Sequence, residues 1–392
     1  MKAPLYFDWG VSTLFGWGVY GLNLLYHWPR VSGADAYCIG QIQLEGLQGL
    51  DPLTVKALMM PLVESDRMRL LVEGAGGADL LRDGVVLHSL GNAFLGSTWP
   101  QNGGRTGKLT GGVIFFEDTT LPDAAAVSRG YDVILTGCTW CEDLLRSRGV
   151  ENVATAIQGI DPSIFHPAPR ADLLPGRFAV FSGGKLEHRK AQDLVVQAFR
   201  IFAARHPEAI LVTAWHSPWP VAALTLNGNT ALEPLAIGAD GRVDAAGWAA
   251  ANGIPPEQFI DVGAIPNHQM ARVLREMDVA LFPNRCEGGT NLVAMECMAC
   301  GVPTIVSNNT GHIDLVATHG TFPLEKQGVV VDEVKGTEGW GESDVDEIVE
   351  TLERVWRDRT EAKRRAEIAA RAMQSWNWLA QVGRLHDILS SL

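Results

Sequence analysis

An excess of positive charge is the first thing missing. The 392 residues carry 32 Lys+Arg against 45 Asp+Glu, a formal net charge of −13. Nucleic-acid binding rests on cations that neutralise phosphates, so this balance argues against such a partner. Residues 1–170 hold 12 Lys/Arg against 17 Asp/Glu. That half offers no basic surface to an anionic membrane, so peripheral membrane association finds no support in the charge. Long apolar runs are missing too. Stretches such as Ala209–Val212 and Val329–Val331 fall far short of the roughly 20 residues a spanning helix needs. Met1–Gly10 has one Lys and no long apolar core follows, which predicts no secretory leader and a cytoplasmic protein. Six Cys without an export signal read as reduced thiols. The pairs Cys138/Cys141 and Cys297/Cys300 have CxxC spacing. The second lies in NLVAMECMACG, an apolar helical stretch where Cys packs as a small side chain. No metal is expected.

What is present is a globular composition, 46% hydrophobic and 20% charged, with Gly and Pro following no period. That excludes disorder and collagen-like repeats, and the length suits about two domains of roughly 100–200 residues. Trp is abundant at 12 residues. Trp17 stands in a glycine turn and Trp99 and Trp140 near loops, while most of the others read as core.

Short β-rich runs alternate with helical patterns, which favours parallel sheets built from βαβ units. In the first half the spacing predicts strands near Leu5–Phe7, Arg69–Val72, Val85–His88, Val113–Phe116, Val133–Leu135 and Val153–Ile157, with helices at Tyr20–Tyr26 and Thr139–Arg148. The Pro-rich stretch Gly159–Pro169 then exits the first domain. The second half predicts strands at Phe178–Phe181, Ile210–Ala214, Phe259–Val262, Val279–Phe282 and Pro303–Val306. Its helices are placed at Ala191–Arg205, Gln269–Met277 and Asn291–Cys300. Ser217–Pro256 reads as an insertion with little regular structure, and a charged helical pattern begins at Glu342. Two similar halves imply a cleft, the default ligand site of open α/β sheets.

Two glycine-rich segments fail as nucleotide loops. In Leu70–Asp79 the third glycine of GxGxxG is Asp79, and in Gly103–Leu109 the residue after Lys108 is Leu where a P-loop needs Ser/Thr. The strongest signal is Phe282–Glu296, a strand, then Glu287, two glycines, Thr290-Asn291 and an apolar helix. The glycines allow close backbone approach, and Thr290 or Asn291 can cap the helix and leave its first amides facing an anion. Glu287 and Glu296 beside that anion suit hydroxyls, as in a nucleotide sugar; the alternative is a capped helix with a buried, satisfied Glu. Phe181–Lys190 repeats the strand and glycine loop, now with Lys185 and Lys190 able to neutralise a departing diphosphate without a metal.

Together these segments resemble the GT-B glycosyltransferases, in particular retaining glycosyltransferase family 4. GGKLEHRK at Gly183–Lys190, EGGTNLVAMECMACGVP at Glu287–Pro303 and the Gly159-Ile160-Asp161 with Phe165-His166-Pro167 signature carry the resemblance, strongest over about 130–315. It implies an α/β fold of two Rossmann-like αβα domains facing each other across a cleft. Residues 1–170 would form the acceptor-side domain, 171–372 the nucleotide-sugar domain, and 373–392 a last helix crossing back.

The resemblance also implies site roles. Lys185 and Lys190 would contact the diphosphate, Glu296 the donor ribose, and Glu287 the transferred sugar, with Gly18, Gly184, Gly288, Gly289, Thr290 and Asn291 lining the donor. Eight residues separate Glu287 from Glu296 where the family has seven, so the sugar contact can pass to the amides of Gly289, Thr290 or Asn291. Ala191 stands where the family often has Gly. His88 would lie near the transferred sugar, with Trp17 and Glu117 on the acceptor side; each also has a purely structural reading. The implied activity is metal-independent transfer of a hexose from a nucleotide diphosphate sugar to a hydroxyl of a glycan, lipid or protein, with retention and without a cofactor. A phosphorylase, a nucleotide-sugar epimerase and a non-catalytic carbohydrate-binding protein are the rival readings.

Overall fold

The computed structural model describes residues 1–42, 44–47, 49–74, 77–92, 105–216, 219–332 and 335–392. Trp99, Gly103 and Gly104 lie outside the described residues, as do Ala75 and Gly76 of the other glycine-rich segment.

Two six-stranded sheets form, and every neighbouring pair in both is parallel. The first contains β1 (Leu5–Phe7), β2 (Ala36–Cys38), β3 (Val85–Leu90), β4 (Leu109–Ile114), β5 (Val133–Thr136) and β6 (Val153–Thr155), in the order β2-β1-β3-β4-β5-β6. The second contains β7 (Phe178–Gly184), β8 (Ala209–Trp215), β9 (Phe259–Asp261), β10 (Val279–Phe282), β11 (Thr304–Ser307) and β12 (Phe322–Leu324), in the order β12-β11-β10-β7-β8-β9. Strand order reverses between β1 and β3 in one sheet and between β7 and β10 in the other. Ligands of open parallel sheets bind above the strand ends at such reversals. The architecture is therefore two Rossmann-like α/β layers, as the alternation of patterns implies.

Three readings of the sequence are corrected. Arg69–Val72 is not a strand but the end of helix α2 (Pro52–Glu73), which follows helix α1 (Gly16–Ser32). The Asp51 carboxylate caps α2 by accepting from Leu53 N and Thr54 N at 2.9 and 3.1 Å, and Pro52 occupies the first helical position. Arg69 then pairs with Asp66 and Glu73, at helical spacings of three and four. An apolar triplet was mistaken for a β-run. Second, the described part of Ser217–Pro256 is partly regular: it contains the helix Ala245–Ala251, whose Trp248 is buried and donates its Nε1–H to Glu233 O at 2.9 Å. Third, the edge strands β2 and β12 are additional to the strands the sequence predicts: Ala36–Cys38 and Phe322–Leu324 each have only three residues, and Pro323 interrupts the second.

The chain crosses twice between the sheets. After β6 the Pro-rich segment buries Phe165 in the core of the second layer, and Arg275 holds it by donating to the carbonyls of Ile164 and His166 at 2.6 and 3.0 Å. The return is made by the last helix, Trp378–Ser390, whose Trp378, Val382, Leu385 and Leu389 are buried in the core of the first layer. The crossings touch: Ile160 N donates to Trp376 O and Trp378 N to Ile160 O. A Cβ on Gly159 would stand 2.6 Å from Trp378 Cα, against backbone that cannot rotate away. Gly159→Ala is therefore expected to lower stability by about 1–3 kcal/mol through overpacking. Gly383 in the last helix has open space around its missing Cβ, so Gly383→Ala is expected to add about 0.5–1 kcal/mol. Thermal unfolding of the two variants should move Tm in opposite directions.

Candidate active site

The loops after β7 and β10, the strands flanking the reversal in the second sheet, meet in one ion network. Behind β7 a short turn, His188–Lys190, leads into the helix Gln192–Arg205. Lys190 Nζ pairs with a Glu287 carboxylate oxygen, and Asn284 donates its side-chain amide to the same oxygen. The other carboxylate oxygen of Glu287 takes Arg189 at 3.2 Å. Arg189 also reaches Glu187 at 2.6 Å and, from the first layer, Glu117 at 3.2 Å. Lys185 pairs with Glu187 at 3.1 Å and lies 5.2 Å from the centre of the Trp219 ring. Burial alone would raise the Glu287 carboxyl. The Lys190 ammonium and the Arg189 guanidinium outweigh it and hold it at about 2.

Arg285 fixes this turn from behind. Its side chain, 2% exposed, donates to both oxygens of Asp193 at 2.8 and 2.7 Å, to His188 O at 2.7 Å and to Glu342. The amides of Arg285 and Cys286 both donate to Arg189 O. Ala191 has φ of 57°, a left-handed conformation, which accounts physically for the glycine that the family often places there.

Asn291 caps the helix Leu292–Ala299 at φ 63°, its Oδ1 accepting from Ala294 N at 3.4 Å. His312 holds the opposite end of that amide. Ser307 Oγ donates to Asn284 O at 2.7 Å, so it accepts from His312 Nδ1–H at 2.9 Å, and His312 Nε2 is left to accept from Asn291 Nδ2 at 3.0 Å. This assigns a neutral imidazole, in keeping with burial, which brings His312 down to about 4. Glu296, one turn into the helix, is buried and accepts from Asn267 Nδ2. Burial pushes its carboxyl up to about 8, against the pull of that amide.

The first layer closes against these loops. Gly289 forms a bridge with Gly137, and a Cβ on Gly288 would meet Phe116 O at 2.4 Å. Cys141 and Cys138 direct their thiols at Gly288 O, at 3.3 and 3.7 Å. Thr290 is buried, its hydroxyl 3.0 Å from Met295 Sδ. Asn267 N donates to Thr13 O across the layers at 2.8 Å, and Gly18 packs on Ser12, where a Cβ would come within 2.5 Å of the serine's own. Gly184, at φ 124°, lies over the aliphatic part of Lys190.

Of the residues singled out in the sequence, Lys185, Lys190, Glu287 and Glu117 converge in the ion network, and Gly288–Asn291 and Glu296 line the same junction. Two stand apart. Trp17 packs edge-on between Trp9 and Phe115, at 5.1 and 4.7 Å, inside an aromatic cluster of the first layer. His88, 2% exposed, bonds Asp8 through Nδ1 at 3.0 Å and Arg105 O through Nε2 at 2.8 Å. Both its ring nitrogens are thus occupied within the first layer, at that sheet's own strand reversal. The sequence reading missed Arg189 and Arg285. Arg189, between Glu187 and Lys190, read as one more basic residue of the turn, and nothing in spacing revealed that it would collect three carboxylates.

A family model described as Family 4 Glycosyltransferase in conflict systems matches residues 138–385. Among curated proteins, a GDP-mannose-dependent alpha-(1-6)-phosphatidylinositol monomannoside mannosyltransferase of Mycolicibacterium smegmatis is 28% identical over 247 residues, 59% of this chain and 54% of that protein. A GDP-mannose-dependent alpha-(1-6)-phosphatidylinositol dimannoside mannosyltransferase of Mycobacterium tuberculosis is 27% identical over 194 residues, 49% of this chain and 45% of that one. The chain thus spans about half the length of the curated relatives it matches. Among solved structures, sucrose-phosphate synthase from Thermosynechococcus elongatus aligns with TM-score 0.65 at 15% identity over 100% of this chain and 99% of that one. An alpha,alpha-trehalose-phosphate synthase from Burkholderia vietnamiensis aligns with TM-score 0.66 at 14% identity over 100% of both chains. At these identities the structural likeness speaks to the fold alone.

The two carboxylates give opposite pH signs. Glu296, raised to about 8 from an ordinary value near 4.5, binds a proton in the folded state that the unfolded chain has lost, so its contribution to stability is full below pH 4.5 and is lost as pH rises toward 8. Glu287, lowered to about 2, contributes stability that is full above pH 4.5 and is lost as pH falls toward 2. Glu296→Gln, which keeps the acceptor for Asn267 and cannot ionise, is expected to raise Tm relative to the parent at pH 9 and to leave it nearly unchanged at pH 5. Equal shifts at both pH values would show that Glu296 ionises normally.

Proposed function

The chain belongs to the family 4 glycosyltransferases in conflict systems and has the two-domain Rossmann-like GT-B fold, and from that premise we propose that it moves a hexose from a nucleotide diphosphate sugar to an acceptor hydroxyl with retention at the anomeric carbon. The observation that carries this reading is the convergence of Lys185, Arg189 and Lys190 with Glu287 above the strand reversal of the second sheet. Three cations there balance Glu117, Glu187 and Glu287, so an arriving diphosphate exchanges places with carboxylates in sites already formed. The bond from the anomeric carbon to the diphosphate oxygen breaks, and the acceptor oxygen bonds that carbon on the same face. The acceptor's proton passes to the leaving phosphate oxygen. Negative charge grows on the leaving diphosphate, and cations fixed beforehand in a water-poor junction stabilise it without reorganising. In this reading the cations supply the charge that a metal would otherwise bring, and the reaction runs without one.

Glu296, protonated at neutral pH, can both donate to and accept from a ribose hydroxyl, which a carboxylate cannot. On the same reading, Asn291, held by His312, and the amides of Gly289 and Thr290 take the sugar-facing role. The relatives named for GDP-mannose make that donor the first to try, and their names make a glycolipid the first acceptor to try.

A thermal-shift series with GDP-mannose, UDP-glucose and ADP-glucose is expected to single out one donor, since a ligand at 100 times its Kd adds about 2.7 kcal/mol to apparent stability. With that donor, Lys190→Met is expected to lower kcat by roughly 10²–10³, in line with the loss of one charge-stabilising donor. Absence of stabilisation by any nucleotide sugar would sink the proposal, and normal transfer by a folded Lys190→Met variant would remove the charge-stabilising role assigned to Lys190.

A further inference from the structure

Glu296 is satisfied on one side only. It lies 4% exposed and accepts from Asn267 Nδ2 with one carboxyl oxygen, while the other oxygen has no hydrogen-bond partner among the described residues. An enclosed polar atom left unpaired is costly to the fold, and a ligand can supply the missing partner. Asn267 decides what the unpaired oxygen offers. Its Nδ2–H needs a lone pair on the oxygen it faces, and burial, which raises the carboxyl to about 8, keeps it protonated at neutral pH, so the proton resides on the other oxygen. Glu296 thus presents an O–H, where an ionised carboxylate would only accept.

Asn267 is itself placed from the first layer. It begins the helix Asn267–Leu274, and its backbone N donates to Thr13 O at 2.8 Å. Thr13 is held in turn by Gly46, whose carbonyl accepts from Thr13 N at 2.7 Å and from Thr13 Oγ1 at 3.0 Å. A Cβ on Gly49 would stand 2.7 Å from Gln269 Nε2 and 3.1 Å from His268 Nε2, so a second segment of the first layer closes on the same helical turn. We propose that Asn267 is a positioning residue for the donor: it occupies one oxygen of Glu296 so that the O–H on the other meets a ribose hydroxyl, and the site thereby selects ribonucleotides over nucleotides that lack those hydroxyls. This role rests on the nucleotide-sugar reading of the site and adds a selectivity to it. A site built to bond a hydroxyl rejects the analogue without it, because its own buried group is then left unpaired.

The test is titration calorimetry at neutral pH on the full chain with GDP, UDP and ADP and with their 2′,3′-dideoxy counterparts. The variants are Asn267→Ala, the isosteric Asn267→Leu, Glu296→Gln and Glu296→Ala, each checked for folding by its Tm and circular dichroism. Two substitutions of different size at each position keep the test open if one of them does not fold. The parent should bind at least one of the ribonucleotides and its dideoxy counterpart about tenfold more weakly. Without the Asn267 amide the Glu296 carboxyl is free to turn, so Asn267→Ala and Asn267→Leu should bind that ribonucleotide about tenfold more weakly and no longer separate it from the dideoxy form. Glu296→Gln retains a carbonyl oxygen for Asn267 and puts an N–H where the O–H stood, so it should still discriminate, whereas Glu296→Ala should not. Folded Asn267 variants that bind and discriminate as the parent does, or a Glu296→Gln variant that loses discrimination, overturn the role of Asn267 and leave nucleotide binding by the site intact. A parent that binds none of the three ribonucleotides overturns the nucleotide-sugar reading and this role with it.

Discussion

Arg189 and Lys190, enclosed with Glu287 at the junction of the two layers, set the condition the rest of the structure meets. Charges taken out of water cost several kcal/mol each unless they are paired with good geometry, and removing one partner of such a pair is far more costly than never having built it. The surrounding elements accordingly hold the pair from several directions. Arg285 and the amides of the loop after β10 clamp the turn that carries Arg189, while Asn284 orients the carboxylate. Thr310 accepts from Glu287 N, and Gly311 N donates to Glu287 O. Glu117 brings the first layer into the same network through Arg189. An apolar replacement of the whole cluster would pack without this expense, so a cluster of this kind makes sense where another anion has to be received.

The closeness of the layers follows from side chains that are absent as much as from those present. Gly288 lies on the backbone of Phe115 and Phe116, and Gly159 on that of Trp378. Both glycines stand in loops, and the missing Cβ is what lets the chain segments touch there. Residues 335–341 reach the first layer on the same side: Gly336 N donates to Asp118 at 2.9 Å, and Trp340 Nε1 to Glu117 O at 2.9 Å. The Glu117–Thr120 stretch is thus engaged by the second layer through backbone and side chain alike.

Most of the strands were legible in the sequence because parallel, doubly covered strands are short apolar runs between turn residues; Leu5–Phe7 and Val279–Phe282 fall on the residues predicted. The misreading at Arg69–Val72 has the same origin, since an apolar triplet carries little information about period and only the Asp51 cap and the Arg69 pairs reveal the helix. At the site, Glu287, Glu296, Lys185 and Lys190 stood out because glycines and charged residues at a strand end are unusual. Arg285, His312 and Asn267 did not, because their importance lies in partners far along the chain: Asp193, Asn291 and Glu296 are 92, 21 and 29 residues away. Trp17, expected on the acceptor side with a structural alternative, packs in an aromatic cluster with Trp9, Tyr20 and Phe115.

Glu287 and Glu296 lie on one loop and helix, yet their surroundings drive them to opposite states, about 2 for the first and about 8 for the second. Identical side chains acquire distinct roles when one is given cations and the other only an amide and apolar neighbours. The consequence is electrostatic bookkeeping over the whole junction. Lys185, Arg189 and Lys190 are balanced by Glu117, Glu187 and Glu287, and Glu296 adds no further negative charge at neutral pH. On the proposed reading, a donor diphosphate therefore meets cations that are neutralised but not outnumbered, and its ribose meets a carboxyl that does not repel it. Had Glu296 ionised with its usual pKa, it would add a fourth carboxylate against the three cations of that group. On the proposed reading, the burial of that one carboxyl beside Asn267 spares the arriving diphosphate one more like charge.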